Sequence, residues 1–435
     1  MNVNKFIISK KISSRYLVHK ILNGVFIDKK TKNQKLEYLT RKNFFFEEKD
    51  LAQADRLANL IFGHLESIDN ILLSVLKKKT NKSVFNILRI VIAELSLKEA
   101  PIYASVSSAV NLAKISIKTK HFAGLVNSVS KSLVRIFQEK NIILKSNLEN
   151  NFKNYLIEKY SQEIAKKIER IYTLHNSIDI SIINQEEVEH WKEKLGAKLL
   201  PTGSLRIKKN KKLSDLSGFK EGKWWVQDIS SSIPIKLIDK IKNMDVLDLF
   251  SAPGGKAMQL IALGANVTCI DSSSNRIKKL RENLTRMNMN ADIFQTDFYD
   301  FKSKKKFDLV LIDVPCSSTG TIRKNKEIQY LDPFKRLKNL LKIQEDSLNV
   351  AKNFVKDKGY ILYCNCSLFF SEGEDKIRNF IKENSNWEFE KFIKKNKHIE
   401  KDWIDKSGFL RLRPDHLYNE GGMDGFFAAL LKKIN

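Results

Sequence analysis

Two short segments place thiols where a loop could use them. Asp313-Val314-Pro315-Cys316-Ser317 and Tyr363-Cys364-Asn365-Cys366-Ser367 each follow an apolar run, Leu309-Val310-Leu311-Ile312 and Tyr360-Ile361-Leu362. Such runs predict buried parallel strands, each ending in a polar loop. A third unit of this form lies upstream. Asp245-Val246-Leu247-Asp248-Leu249-Phe250 runs into Ser251-Ala252-Pro253-Gly254-Gly255-Lys256. A glycine turn, a carboxylate and two thiols at the strand ends of one sheet predict a ligand crevice beside a thiol nucleophile. A helix N-terminus or a basic neighbour there lowers a thiol pKa. The chemistry indicated is covalent attack on an electrophilic carbon.

The other polar residues around these strands sharpen that reading. Glycines at Gly254 and Gly255 let the backbone approach a ligand, and the helix that follows presents free N–H groups. The spacing is neither Gly-x-Gly-x-x-Gly nor a phosphate loop, which weakens a dinucleotide or ATP reading. Asp271 ends the strand Val267-Thr268-Cys269-Ile270, where an acid can accept both hydroxyls of a ribose. Asp271-Ser272-Ser273 is also good capping chemistry for a helix over 274–287. Asp297 follows a strand over 291–294 and reads either as a contact to an adenine amino group or as a loop carboxylate. Cys269 fits a small apolar residue inside its strand, and Cys364 a strand-end residue beneath the site. The basic stretches Lys208 to Lys212, Lys302 to Lys306 and Arg323-Lys324 are candidates for tracking phosphates. For the first two, solvated loop charge is an equal alternative.

These residues need a framework, and the hydropathy pattern supplies one. From 12 to 138 apolar residues repeat at three and four, as in Leu57, Leu60, Ile61 and Leu65, which predicts an all-α domain. Residues 139–152 are polar and read as a linker. Residues 153–222 mix helices with short strands. From Trp224 onward strands and helices alternate, including a helix over 333–355 and a late strand over 425–431, which predicts a doubly wound parallel sheet. The expected domains are 1–140, helical; 141–222, small and α+β; and 223–435, α/β.

The totals limit the partners. The chain has 435 residues and a net charge of +27, from 77 Lys+Arg against 50 Asp+Glu. A field of that sign favours a polyanion, and nucleic acid is the first candidate. A lysine-rich genome is the bland alternative. Four cysteines do not make a disulfide scaffold, and no Cys-x-x-Cys pair has a distant partner pair, so no metal site is expected. The most apolar run, Val84 to Leu97, is broken by Arg89 and Glu94 and does not span a membrane. Met1 to Lys11 lacks a signal-peptide core. A reduced, cytoplasmic protein without membrane association is expected, and a monomer.

Taken together, the segments resemble the RNA cytosine-5 methyltransferase family over about half of the chain, from 224 to 431. Phe250-Ser251-Ala252-Pro253-Gly254-Gly255-Lys256 is similar to its S-adenosylmethionine loop. Asp313-Val314-Pro315-Cys316-Ser317 resembles its Pro-Cys motif and Cys366-Ser367 its Thr-Cys-Ser motif. Arg411-Leu412-Arg413-Pro414 and Met423-Asp424-Gly425-Phe426-Phe427 resemble its C-terminal signature, and Val226 to Ser231 the segment that leads into the domain. The N-terminal domain is similar to the antitermination factor NusB, through Tyr103 to Lys114 and Phe122 to Val129. A NusB-like domain fused to such a catalytic domain resembles the bacterial RsmB (Sun/Fmu) type. This chain departs from the family pattern at Phe250 (usually Cys), Ser318 (Gly), Asn365 (Thr) and Asn325-Lys326 (His-Pro).

The resemblance implies a multidomain chain: an all-α NusB-like domain, a small α+β domain and a C-terminal α/β Rossmann-like class I methyltransferase domain. It implies S-adenosylmethionine as cofactor, held by Phe250 to Lys256, Asp271, Asp297 and Asp313. It also implies 16S ribosomal RNA, or a small-subunit assembly intermediate, as partner, with cytosine 967 as the target type. C5 of cytosine is a poor nucleophile until a thiolate adds at C6. By resemblance Cys366 is that nucleophile, Asp313 contacts N3 and the exocyclic amine, and Cys316 assists elimination. Two rivals compete. A non-catalytic RNA-binding protein would not need the thiols and Asp313. A base N-methyltransferase usually places Asn/Asp-Pro-Pro-aromatic where Asp313-Val314-Pro315-Cys316 stands.

Overall fold

The computed structural model describes residues 13–42, 44, 46–76, 78, 80–98, 101–174, 177–208, 212–392 and 399–434. Residues 1–12, and residues 209–211 of the basic stretch Lys208 to Lys212, lie outside the described residues. The chain forms two compact units: one up to Thr173 plus Lys324–Pro333, the other Leu174–Arg323 plus the chain from Phe334.

The first unit is helical. It holds α1 (Ser14–Phe26), α2 (Lys32–Arg41), α3 (Glu48–Gly63), α4 (Leu65–Val75), α5 (Lys82–Leu97), α6 (Ile102–Ile115), α7 (Ala123–Glu139), α8 (Asn150–Lys159) and α9 (Gln162–Leu174). Local signals start several of these helices. Ser13 caps α1, Asn81 caps α5, and Thr31 with Gln34 forms a capping box on α2. α5 is buried along most of its length. The charges that interrupt its apolar run are partnered. Arg89 grips Asp69 with two hydrogen bonds of 2.7 and 2.6 Å, and Glu94 takes Arg15 at 2.5 Å. A buried charge left alone would be strongly destabilising. Lys324–Pro333, which sequence order attaches to the Cys316 loop, completes this helical core. The Tyr330 ring stacks 6.1 Å from Phe62, and its hydroxyl donates to the Phe62 carbonyl at 2.9 Å. α8 begins within the stretch 139–152 read as a linker, with Phe152 and Leu156 fully buried.

The second unit contains two sheets. The smaller is antiparallel, in the order β2-β3-β1-β4, from β1 (Ser177–Ile182), β2 (Lys198–Leu199), β3 (Leu205–Lys208) and β4 (Trp224–Val226), with α10 (Val188–Leu195) after β1. The larger begins after α11 (Ile229–Lys236). It contains β5 (Asp245–Leu249), β6 (Asn266–Asp271), β7 (Asp292–Gln295), β8 (Phe307–Asp313), β9 (Val355–Asn365), β10 (Trp387–Glu390), β11 (Leu410–Leu412) and β12 (Phe426–Lys433). Its helices are α12 (Gly255–Ala262), α13 (Ser274–Met287), α14 (Pro333–Ala351) and α15 (Glu374–Glu383).

The large sheet runs β10-β12-β9-β8-β5-β6-β7, with β11 beside β12. β7, β6, β5, β8 and β9 are parallel, whereas β12 is antiparallel to β9 and β10 to β12. The expectation of a wholly parallel sheet is therefore corrected at one end. Phe426 to Leu431 is apolar in either direction, so only the path of the chain sets its orientation. The helix expected over 333–355 stops at Ala351, because Val355 already pairs with Phe307. Alternate residues of the central strands feed two cores, with Val246, Leu309 and Leu311 on one face and Leu247, Val310 and Ile312 on the other. Each such buried side chain contributes roughly 1.5–3 kcal/mol. Among the described residues no helix is long and apolar enough to cross a membrane.

Candidate active site

The parallel strands β5, β8 and β9 deliver their C-terminal loops to one edge, where the glycine turn and both thiols meet. The turn after β5 is tight. Phe250 takes φ +63° and Gly254 +105°, and a Cβ on Gly254 would fall 2.5 Å from Leu280. The Ser251 N–H donates to the Ile270 carbonyl at 3.0 Å, and its own carbonyl receives the Gly254 N–H at 2.9 Å. The Pro253 carbonyl takes the Asn283 amide at 2.9 Å. Gly255 begins α12, and a Cβ there would meet nothing within 4 Å. Its face is open toward a cavity of about 550 Å³.

Lys256 points from α12 to the end of β8 and pairs with Asp313 at 2.6 Å. Burial opposes the lysine's charge, but Asp313, Cys364 and Asp248 together hold its pKa above the ordinary value. Asp248, one strand over, is buried, and neither of its carboxylate oxygens has a hydrogen-bond partner. Burial, reinforced by Asp313, pushes its pKa well above the usual carboxylate range, against the opposing pull of Lys256.

The thiols of Cys316 and Cys366 lie 3.4 Å apart, and both residues are half-buried. Cys366 lines the cavity with Asp313, Lys256, Phe250, Ser251, Ala252 and Pro253. Cys316 lies behind it and is not among the lining residues. Its pKa is raised well above the usual thiol range by the hydrogen bond to Cys366, then by burial and by the charges of Cys366 and Glu372. The loops are held by backbone. Gly320 N–H donates to the Cys366 carbonyl at 2.9 Å, and a Cβ on Gly320 would sit 2.1 Å from the Gly425 carbonyl oxygen. Two departures from the family pattern acquire reasons here. Ser318 takes φ +57°, a conformation that suits glycine. Asn365 spans Cys366, its amide donating to the Glu372 carbonyl at 2.8 Å and its oxygen accepting the Ser367 N–H at 2.9 Å.

The other wall comes from segments widely separated in sequence. Asp228 receives the Ser230 N–H at 3.0 Å, the Ser230 hydroxyl at 2.7 Å and the Asp424 N–H at 3.2 Å. Its second oxygen takes Arg323 at 2.9 Å, and Arg323 also reaches Asp424 at 3.5 Å. Arg323 is only 1% exposed. It is therefore a buried ion-pair residue and not the phosphate contact expected for Arg323-Lys324. Lys305, in another basic stretch, pairs with Asp245 at 2.9 Å.

Asp271 and Asp297 are not among the residues lining the cavity. Asp271 ends β6, buried, with one oxygen taking the Ser273 N–H at 2.9 Å and Arg276 at 2.9 Å and the other without a partner. The helix cap itself is Ser273. Asp297 accepts the Tyr299 N–H at 3.1 Å. Cys269 and Cys364 are fully buried, as expected for strand residues. Sequence reasoning did not single out Asp248, Asp228, Asp424 or Glu372 as site residues. Asp228 and Asp424 stand inside the quoted motifs, and Asp248 is a carboxylate within an apolar strand, which was the available signal.

A parallel sheet with a glycine turn, an open helix start and acids at its strand ends receives its ligand at the strand C-termini, and here that architecture is the one of an S-adenosylmethionine-dependent methyltransferase. Residues 236–432 match the family of 16S rRNA methyltransferase RsmB/F, and residues 12–135 match the NusB family. The two matches give this chain an RsmB/F-type methyltransferase domain over 236–432 and a NusB-family domain ahead of it. It is 27% identical over 363 residues to ribosomal RNA small subunit methyltransferase B of Proteus mirabilis, covering 77% of this chain and 85% of that protein. The protein of the same name from Serratia proteamaculans is 25% identical over 416 residues, covering 89% and 92%. Among solved structures, that of PH0851 superposes with a TM-score of 0.72 at 21% identity, over 96% of this chain and 99% of the other. NSun6 from Pyrococcus horikoshii, solved with SFG, gives 0.56 at 17% identity, over 66% and 98%. The site residues fit the cofactor, since Gly255 leaves room for it and Asp248 offers acceptors that no described residue satisfies.

Proposed function

We propose that this chain methylates C5 of a cytosine in 16S ribosomal RNA, of the cytosine 967 type, through a covalent adduct between Cys366 and C6 of the base. The observation that carries this reading is the thiol pair, 3.4 Å apart, with Cys366 on the cavity wall and Asp313 beside it. Methylation of a base nitrogen or oxygen needs no thiol. The ribosomal target rests on the family and on the names of the relatives, and a net charge of +27 suits an RNA partner.

S-adenosylmethionine, when bound, supplies an activated methyl group. Phe250 to Lys256, Asp248, Asp271, Asp297 and Asp313 are the residues assigned to hold it. Cys366 Sγ forms a bond to C6, and the C5–C6 π pair becomes available at C5. Asp313, steadied by Lys256, faces N3 and the exocyclic amine, where charge develops. C5 would take up the methyl group as its bond to the sulfonium sulfur breaks and the neutral thioether leaves, and C5 would then give up its proton to a base. The pair from the C5–H bond restores the double bond as the Sγ–C6 bond breaks. Cys316 assists this elimination. The base must be splayed from its helix to enter such a cavity.

The test uses RNA carrying 5-fluorocytosine at the target. Fluorine cannot leave C5 as a proton does, so wild type should accumulate a protein–RNA adduct on a denaturing gel. Cys366→Ala should form none and lose methyl transfer by roughly 10⁴-fold or more. Cys316→Ala should still attack but release slowly, leaving an adduct on ordinary RNA. Adduct with Cys366→Ala and none with Cys316→Ala would reverse the assignment. Bisulfite sequencing of ribosomal RNA from cells with and without the gene identifies the nucleotide.

A further inference from the structure

We infer that Glu372 is a positioning residue for this reaction, clamping together the residues that follow the two thiols and so setting how Cys316 and Cys366 face each other. The inference rests on the reading that both thiols take part in catalysis. Glu372 lies in the turn before α15 and is fully buried. One carboxylate oxygen accepts the Ser317 N–H at 2.9 Å and the Gln344 amide at 2.8 Å. The other accepts the hydroxyls of Ser317 and Ser367, each at 2.5 Å. Ser317 follows Cys316 and Ser367 follows Cys366, so one carboxylate joins two loops whose thiols are 50 residues apart in sequence. Short hydrogen bonds to an ionised acceptor are stronger and more directional than neutral ones.

The clamp is itself fixed. The Glu372 carbonyl accepts from the Tyr363 hydroxyl and the Asn365 amide, both at 2.8 Å. Both donors belong to the end of β9, the strand that leads to Cys366. A second acid acts alongside. Arg411 grips Glu374 with two hydrogen bonds, of 2.9 and 2.5 Å, and donates to the Ser367 carbonyl at 2.6 Å. Ser367 is thereby held at its hydroxyl and at its carbonyl. Glu372 is not among the residues lining the cavity, so it acts through the thiol loops and not on the base. Its charge also contributes, after Cys366 and burial, to the high proton affinity of Cys316. A role in folding alone does not require that three of the four donors come from residues adjoining the two thiols.

The test compares Glu372→Ala and Glu372→Gln in the full chain. The readouts are single-turnover methyl transfer, the kcat and KM split for RNA, calorimetric cofactor affinity, and release of tritium from C5-labelled cytosine RNA without cofactor. The last reports thiol addition directly, since addition at C6 opens C5 to proton exchange. Displacing the thiols by about 1 Å should cost Glu372→Ala about 10²-fold in kcat and in exchange. KM and cofactor affinity should stay within about twofold. Glutamine keeps an oxygen for the two N–H donors and turns its amide to hydroxyls that can rotate to accept. It should restore kcat to within about tenfold of wild type. Full kcat and exchange in Glu372→Ala, or a loss confined to KM, would overturn the inference. If Glu372→Ala does not fold, the Ser317→Ala/Ser367→Ala double variant decides: a tenfold or larger fall in kcat supports the clamp, and an unchanged kcat refutes it. If wild type shows no exchange, the covalent reading fails, while the methyl-transfer ratio between variant and wild type still decides the role of Glu372.

Discussion

The catalytic unit buries two sets of carboxyl side chains, and they are built in opposite ways. Beneath the glycine turn, Asp248 has neither oxygen satisfied. Behind the thiols, Glu372 receives four donors, and Glu374 is matched two-pronged by Arg411. Buried polar groups are ordinarily hydrogen-bonded, so an exception beside a cavity marks where an outside donor is awaited. A satisfied cluster instead fixes geometry. The contrast assigns the first region to ligand binding and the second to holding the thiols.

That contrast can be broken by substitution, and the largest effect is expected in the satisfied region. Arg411→Met leaves Glu374 buried without its partner and should cost about 3–5 kcal/mol of stability. A thermal melt unchanged by this substitution would show that the cluster does not hold the loops. Asp248→Asn should behave in the opposite sense. It should weaken cofactor binding about 10- to 100-fold by calorimetry, the cost of leaving a buried polar partner unsatisfied, without lowering the melting temperature of the free protein. The pH dependence sharpens the point. Asp248 ionises near the ordinary value when unfolded and well above it when folded. Between those values the folded state binds more protons, so stability falls as pH rises. Asp248→Asn should flatten that slope in melts across the acidic to neutral range, and an identical slope would place Asp248 in contact with solvent. The smallest effect is expected at Asp297, whose carboxylate already accepts the Tyr299 N–H. Asp297→Ala should reduce cofactor affinity by about tenfold at most. No change by calorimetry would remove it from the site.

Much of the catalytic unit was legible because its strands are short apolar runs closed by loops with chemically distinctive residues. The helix over 274–287 coincides with α13, and the strand over 307–312 with β8 short by one residue. The helical unit was legible as helix, since its apolar residues repeat at three and four. The assignment of Lys324–Pro333 to that unit was not legible, because tertiary packing decides which core a loop tyrosine enters. Arg323 was misread for a related reason. A basic residue beside a catalytic loop has the same sequence signal whether it faces phosphate or is enclosed by Asp228 and Asp424.

The residue types by themselves placed two thiols, a glycine turn and a carboxylate at the ends of apolar strands, because spacing along strands and turns is local. They also settled the helical character of the first part, because amphipathic period is local. Only the tertiary structure decided that Cys366 lines the cavity while Cys316 lies behind it. It alone decided that Asp248 is unsatisfied while Glu372 is saturated. Hydrogen-bond partners come from residues tens to hundreds of positions apart, and no local pattern records which donors the folded chain brings to which acceptor.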